Sequence, residues 1–221
     1  MPKPLAVVLA SGGMDSCTAA AWAARQYRLA MLHVNYGQRT EAKELACFKR
    51  ITAHFRAEKS LVVDARHLAA IGGSSLTDPS IPVPPDETPG EIPSTYVPFR
   101  NANLLAIAAS WAEVIGASRI VIGAVEQDAP GYPDCRPAFY EAANRLIELG
   151  TRPETHILVE TPLIALKKVE VIRLGMELAA PYELTWSCYQ GESRPCMNCA
   201  SCRRREEAFR EAGVPDPLLS G

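Results

Sequence analysis

The chain lacks both Gly-x-x-x-x-Gly-Lys-Ser/Thr and Gly-x-Gly-x-x-Gly, so neither a kinase-type P-loop nor a dinucleotide fingerprint is present. It also lacks an excess of either charge, with 23 Lys and Arg against 25 Asp and Glu, a net charge of −2 and a pI near 6.1. A duplex or tRNA footprint needs concentrated Lys and Arg, so no nucleic-acid partner is expected and a small substrate is favoured. The apolar run after Met1-Pro-Lys-Pro covers only Leu5 to Ala10, too short for a signal core or a membrane span. No membrane partner is therefore expected, and the expected location is cytoplasmic. His33, His54, His67 and His156 share no metal-ligand spacing and read as structural or surface residues. No internal repeat or low-complexity tract is present.

What the chain does have is the run Leu5-Ala-Val-Val-Leu-Ala-Ser-Gly-Gly-Met-Asp-Ser16, an apolar strand, a Ser-Gly-Gly turn and the start of a helix. Gly12 and Gly13 let the backbone turn sharply and bring N–H groups near an anion, and the helix that follows aims its positive end at the same place. Ala10, Ser11, Gly12, Gly13, Met14, Asp15 and Ser16 are thus the expected ATP-phosphate site. Asp15 is better suited to ordering the helix start or holding a hydrated Mg2+ than to touching phosphate itself. Without a Walker lysine the loop is expected to grip pyrophosphate, as when ATP is cleaved between its α- and β-phosphates. Ser-Gly-Gly-x-Asp-Ser resembles the PP-loop of the N-type ATP pyrophosphatase superfamily.

Apolar strands alternating with amphipathic helices predict an α/β, Rossmann-like fold, a five-stranded parallel sheet with helices on both faces. Strands are predicted at Leu5–Ala10, Leu29–Asn35, Ser60–Asp64, Arg119–Gly123 and His156–Thr161. Helices are predicted at Asp15–Gln26, Glu41–Arg56, Asn101–Ile115, Arg136–Leu149 and Lys168–Ala179, with Leu45, Phe48, Thr52 and Phe55 as the buried stripe of the second. This domain should occupy residues 1–180, with a small zinc-binding subdomain over 181–221. Ligands in such sheets sit at the carboxyl ends of the strands. Between Ile71 and Pro98, seven prolines (Pro79, Pro82, Pro84, Pro85, Pro89, Pro93 and Pro98) exclude a regular helix. This insertion, at about 71–98, is expected to act as a lid or as a packing arm, and either it or the tail could build a homodimer contact.

The tail carries Cys188, Cys196, Cys199 and Cys202, four thiols that can complete the tetrahedral shell of a structural Zn2+. An iron–sulfur cluster is the alternative left open by the spacing. A closed four-thiolate site has no position for catalysis, so the metal is expected to staple the tail to the domain. Cys17, Cys47 and Cys135 remain, and the odd total of 7 disfavours a disulfide framework. The only tight basic run, Arg203-Arg-Arg205, reads as a solvated helix face. A tRNA-thiolating protein, the remaining alternative, would need a basic surface that the chain does not supply.

Together, Ser11-Gly-Gly-Met-Asp-Ser16, Tyr36-Gly-Gln-Arg39, Val97-Pro-Phe-Arg-Asn101, Gly131-Tyr-Pro-Asp-Cys-Arg136, Glu183-Leu-Thr-Trp-Ser-Cys188 and the cysteine tail resemble the QueC family of 7-cyano-7-deazaguanine synthases, in order and over nearly the whole chain. The resemblance implies an adenine nucleotide alpha hydrolase-like fold. It also implies ATP-dependent conversion of 7-carboxy-7-deazaguanine and ammonia to the nitrile, with a structural zinc. ATP would adenylate first the carboxylate and then the amide, with Mg2+ beside Asp15 neutralising charge. Met1 is followed by Pro2 and no glutaminase nucleophile is evident, so free ammonium is the expected nitrogen source. Asp15, Ser16 and Arg100 are the expected catalytic residues, and Arg100 is suited to a bidentate grip on the substrate carboxylate. Gln38 and Arg39 after the second strand, Asn101, and Asp128, Tyr132 and Asp134 after the fourth are expected at the substrate. Gly131-Tyr-Pro-Asp is equally good turn chemistry, and Cys135 reads as a packed thiol. Phe99 stands where the family usually has a small alanine, and Val125-Glu126 replaces a stretch that usually begins with asparagine. An activity that stops at the amide, or passes the acyl group to another amine, is the second reading these departures raise.

Overall fold

A computed structural model describes residues 2–85, 91–126, 131–191 and 193–219. Strands β1 (Leu5–Leu9), β2 (Arg28–Asn35), β3 (Lys59–Asp64), β4 (Arg119–Ile122) and β5 (Leu158–Glu160) form one parallel sheet in the order β3-β2-β1-β4-β5. Its register pairs Val7 with Ala30 on one side and Ile120 on the other. Every residue of β1 is buried, as a central parallel strand covered on both faces must be. The chain winds outward from β1 to β3, then returns across β1 to β4, so the switch point lies between β1 and β4.

Helices α1 (Met14–Gln26), α2 (Glu41–His54), α3 (His67–Ile71), α4 (Arg100–Ile115), α5 (Pro137–Gly150), α6 (Lys168–Glu177) and α7 (Ala200–Ala212) cover the sheet. One apolar layer contains Val7, Leu32 and Ile120 with Leu105 and Ala108 of α4 and Ile147 of α5. The opposite layer contains Val8, Met31 and Val121 with the alanines of α1 and with Ile172 of α6 and Phe209 of α7. Small side chains at Ala19, Ala20 and Ala23 let α1 sit close to the strands, and each is fully buried. A wholly buried Val, Leu or Ile contributes about 1.5–3 kcal/mol through removal from water. Gly175 of α6 leaves room for the Tyr182 hydroxyl where a Cβ would stand. The hydroxyl donates to the Val171 carbonyl and bonds Thr18 of α1 at 2.8 Å, tying α1, α6 and the tail together.

The buried residues of α2 are Cys47, Phe48 and Ile51, not a stripe centred on Leu45, Thr52 and Phe55. Helix α7 adds to the five predicted helices and carries the Arg203-Arg-Arg205 run. Arg205, expected on a solvated face, is 4% exposed and forms a two-bond ion pair with Asp216 at 2.6 and 2.8 Å.

Among the described residues of the proline-rich insertion, the segment from Ser74 to Ile81 is held by Arg39. Its guanidinium donates to the carbonyls of Ser75, Asp78 and Ile81 at 2.6, 3.0 and 2.7 Å. No described helix is long and apolar enough to cross a membrane.

Candidate active site

A cavity of about 310 Å³ opens at the carboxyl ends of β1, β2 and β4, lined there by Ala10, Val34 and Ile122. Its floor is the turn between β1 and α1. Gly12 adopts φ +91°, a left-handed conformation open to glycine, and a Cβ there would lie 2.6 Å from the Glu44 carbonyl. The carbonyl of Ala10 bonds Nδ1 of buried His33 at 2.9 Å, which fixes the strand's exit. Burial lowers the affinity of His33 for a second proton. Ser16 donates to the Gly13 carbonyl at 3.0 Å and lies 3.2 Å from the Ser11 hydroxyl. Ser11, Gly13, Met14, Asp15 and Ser16 all line the cavity beside the start of α1, whose first amides carry partial positive charge.

Lys168, which had no role in the sequence reading, lies opposite Asp15. Its ammonium donates to both carboxylate oxygens at 2.8 Å, and its side chain is 15% exposed. The residue before it is also fixed, since the Lys167 N–H donates to the Glu170 carboxylate at 2.7 Å in the manner of a capping box. Lys168 reaches Asp15 from 153 positions away, a separation that leaves no local signal in the sequence.

A second polar group forms the far wall. Arg100 begins α4 directly after Phe99, which is held at φ +56° by donation of its N–H to the Tyr96 hydroxyl. The Arg100 guanidinium lies 5.7 Å from the centre of the Tyr36 ring, and one of its nitrogens donates to the Tyr36 hydroxyl at 3.4 Å. Its Nε is buried and has no hydrogen-bond partner among the described residues. Burial opposes its charge, but Tyr36, Tyr132 and Asp134 outweigh that opposition and keep it protonated. Glu44 also lines this wall, its carboxylate accepting from Thr40 at 2.8 Å and Gln38 at 3.0 Å. Burial raises its carboxyl above the ordinary range despite those donors.

The remaining expected substrate residues divide. Gln38, Asn101 and Tyr132 line the cavity with Arg100. Gln38 is occupied internally, accepting the Tyr36 N–H and donating to Glu44. Asp134 is 3% exposed and does not line the cavity; its carboxylate accepts the Asn101 N–H at 2.9 Å, and its carbonyl accepts the Asn101 side chain. This pair fixes the start of α4. Asp128 lies outside the described residues. The exposed Phe99 ring packs edge-on against Phe139 and does not fill the cavity, whereas Val125 does line it.

The tail supplies part of the same wall through Trp186, Ser187, Tyr189, Ser201 and Arg204. The thiols of Cys188, Cys196, Cys199 and Cys202 lie within 4.8 Å of one another. Zinc–thiolate bonds of about 2.3 Å in a tetrahedron place sulfurs about 3.8 Å apart, so this set fits one ion more closely than the larger body of an iron–sulfur cluster. Cys17 and Cys135 are buried thiols held in the protonated form, up to about 12 and about 11, primarily by burial.

The sequence model of the family described as queuosine biosynthesis protein QueC matches residues 5–213. The 7-cyano-7-deazaguanine synthase of Chlorobaculum tepidum is 58% identical over 215 residues, covering 96% of this chain and 95% of that protein. The Chloroherpeton thalassium protein of the same name is 54% identical over the same shares. Among solved structures, NMN synthetase from Francisella tularensis superposes with a TM-score of 0.51 at 13% identity, over 97% of this chain and 79% of that one. The U34-tRNA thiolase NcsA from Methanococcus maripaludis gives 0.51 at 15% identity, over 99% and 69%. These two likenesses concern the fold.

Proposed function

The chain belongs to the QueC family, and from that premise we propose that it converts 7-carboxy-7-deazaguanine, ammonia and ATP to 7-cyano-7-deazaguanine for queuosine precursor biosynthesis. The observation that carries this reading is one cavity with a glycine turn and helix start at its floor and an incompletely bonded arginine in its wall. The turn suits the phosphates of ATP, and Arg100 suits the carboxylate of the acid, its Nε offering a donor that no described residue accepts.

A carboxylate oxygen is a poor leaving group, so the acid must first be activated. One of its oxygens attacks the α-phosphorus, the α–β bridging bond breaks, and pyrophosphate leaves with the electron pair. Ammonia adds to the acyl carbon, gives up one proton, and AMP departs with the C–O electron pair, which leaves the amide. Attack of the amide oxygen on the α-phosphorus of a second ATP releases pyrophosphate, and loss of AMP and of both N–H protons gives the nitrile. Ser11, Gly13 and Ser16 would hold the departing pyrophosphate through N–H and hydroxyl donors, and Arg100 would hold the acid in line with it. Asp15, a carboxylate at the cavity, is the donor fitted to Mg2+, which would supply neutralisation of phosphate charge. We assign the four tail thiols to Zn2+, with a structural role only. The nitrogen source is read as free ammonium, and the tail from 181 onward as a subdomain whose ordered start completes the cavity.

Product analysis by mass spectrometry tests the reading. Protein mixed with ATP, Mg2+, ammonium and 7-carboxy-7-deazaguanine should yield the nitrile and AMP. An amide that persists in excess ATP, or no ATP turnover, would overturn it. Arg100→Gln should raise KM for the acid at least tenfold while the protein still folds, since the guanidinium's bond to the Tyr36 hydroxyl is long, at 3.4 Å, and its Nε has no partner among the described residues.

A further inference from the structure

Glu44 lies in the first turn of α2, between the two parts of the cavity that the chemistry must join. On one side its backbone carbonyl packs against the phosphate turn, 2.6 Å from where a Cβ at Gly12 would stand. On the other, Gln38 donates to its carboxylate and accepts the N–H of Tyr36, whose hydroxyl meets Arg100. The carboxylate thus stands between the sites read for nucleotide and acid. Each of its oxygens accepts one hydrogen bond, from Thr40 and from Gln38, which leaves a lone pair on both for a ligand. Among the described residues no cation forms an ion pair with Glu44, and Arg100 acts on it only from a greater distance. A further negative charge in a cavity suited to phosphates and a carboxylate repels both, unless a cation is to be seated beside it. Mg2+ is matched to Asp15 at the floor. The other cation of the reaction is ammonium, whose nitrogen has no free electron pair until a proton is removed.

We propose that Glu44 is a further catalytic residue of the amide-forming step, the carboxylate that seats ammonium beside the acyl adenylate and takes the proton that frees ammonia. The inference rests on the function proposed above, with free ammonium as the nitrogen source. One N–H bond of ammonium breaks, its proton passes to a Glu44 oxygen, and its electron pair forms the new bond to the acyl carbon. The added nitrogen then gives a second proton to solvent as AMP departs with the C–O electron pair. Glu44 returns its own proton to water once AMP has left, so the carboxylate is restored. Burial holds the Glu44 carboxyl above the ordinary carboxylate range, which strengthens it as a base toward ammonium.

The test uses Glu44→Gln and Glu44→Asp in the intact chain. In Glu44→Gln the amide oxygen can accept from Gln38 while its NH2 donates to the Thr40 hydroxyl, so the local bonds are kept. Its kcat/KM for ammonium in amide formation should fall about a hundredfold. Hydroxylamine, an amine already neutral near neutral pH, needs no base, so hydroxamate formation should fall much less. Acid-dependent exchange of labelled pyrophosphate into ATP precedes the amine and should keep its KM for the acid. Glu44→Asp, a shorter base, should lose less than the glutamine variant with ammonium, and it supplies the ammonium-to-hydroxylamine comparison if Glu44→Gln fails to fold. A kcat/KM for ammonium within threefold of the parent, or an equal loss with hydroxylamine, would overturn the proposal and leave Glu44 as a carboxylate of the helix start. A KM for the acid raised as far as that for ammonium would also overturn it, and would make Glu44 a reader of the acid's ring. Exchange in the parent without amide formation from ammonium would overturn this inference alone. Absence of exchange in the parent would instead remove the functional reading itself.

Discussion

The backbone N–H of Trp186 donates to the carbonyl of Gly12 at 2.9 Å, so the phosphate-site turn is latched by the segment that leads into the cysteine cluster. The indole N–H of Trp186 in turn reaches the Gly191 carbonyl at 3.1 Å, and the Cys188 sulfur accepts N–H groups from Gly191 and Cys196. Cysteine cluster, tail and turn therefore form one mechanical unit. Cys199→Ser, or chelation, is expected to release the metal and lower stability by several kcal/mol, a part of the roughly 10 kcal/mol or more that zinc contributes to isolated fingers. ATP affinity and Trp186 fluorescence should change at the same chelator concentration as the thermal midpoint. A variant that lost metal and kept ATP affinity would show that the latch does not transmit.

The two loop glycines should behave differently. Gly12→Ala forces a side chain into a left-handed backbone and against the Glu44 carbonyl at 2.6 Å, so destabilisation of about 1–3 kcal/mol and loss of ATP binding are expected together. At Gly13 the nearest atoms to an added Cβ are the Ser11 hydroxyl at 3.3 Å and the Trp186 carbonyl at 3.5 Å. Gly13→Ala should therefore keep most of its thermal stability, and nucleotide titration should register its effect mainly as weakened phosphate binding. Equal melting temperatures for the two variants would contradict this contrast.

Strands and the loop were legible because central parallel strands are continuous apolar runs, as in Leu5–Leu9, and because Ser11-Gly-Gly is a local device. Long-range relationships were not. The face of α2 is turned because Cys47 packs into the cluster of Trp186 and the tail cysteines, an override that periodicity within Glu41–His54 cannot reveal. Helix α7 is rich in arginine and glutamate, and its buried face mixes Ala208 and Phe209 with Arg205, whose charge is met by Asp216 from beyond the helix. Asp134 reads as a substrate carboxylate from its loop position, yet its oxygen accepts from the helix start at Asn101.

Glu44 gives the fold a pH dependence of definite sign. Burial raises its carboxyl above the unfolded value, so the native state binds this proton more tightly than the unfolded chain does. Its contribution is greatest in acid and is lost as pH rises through the native value, with a limiting slope of about 1.4 kcal/mol per pH unit. Glu44→Gln cannot ionise, so its stability relative to the parent should improve from about pH 4 upward and level off once the native carboxyl is ionised. Urea midpoints across that range measure the difference, and parallel curves would refute the assignment.

The ion pair between Arg205 and Asp216 should cost most when only one partner is removed. Both side chains are nearly inaccessible, at 5% and 6%, and Arg205 also donates to Thr185 at 2.8 Å and to the Tyr182 carbonyl at 3.3 Å. Asp216→Asn leaves a guanidinium buried without its carboxylate, so a loss of about 3–5 kcal/mol is expected. Arg205→Met with Asp216→Leu removes both charges together and should recover much of that loss, because desolvation of the pair offsets a large share of its attraction. Tyr182 bonds Thr18 of α1, so the single variant should also loosen the helix that follows the phosphate turn. Hydrogen exchange at the α1 amides would detect this. Faster exchange there in Asp216→Asn than in the double variant is the expected order; the reverse order would mean that the charge, not the packing around it, holds the tail in place.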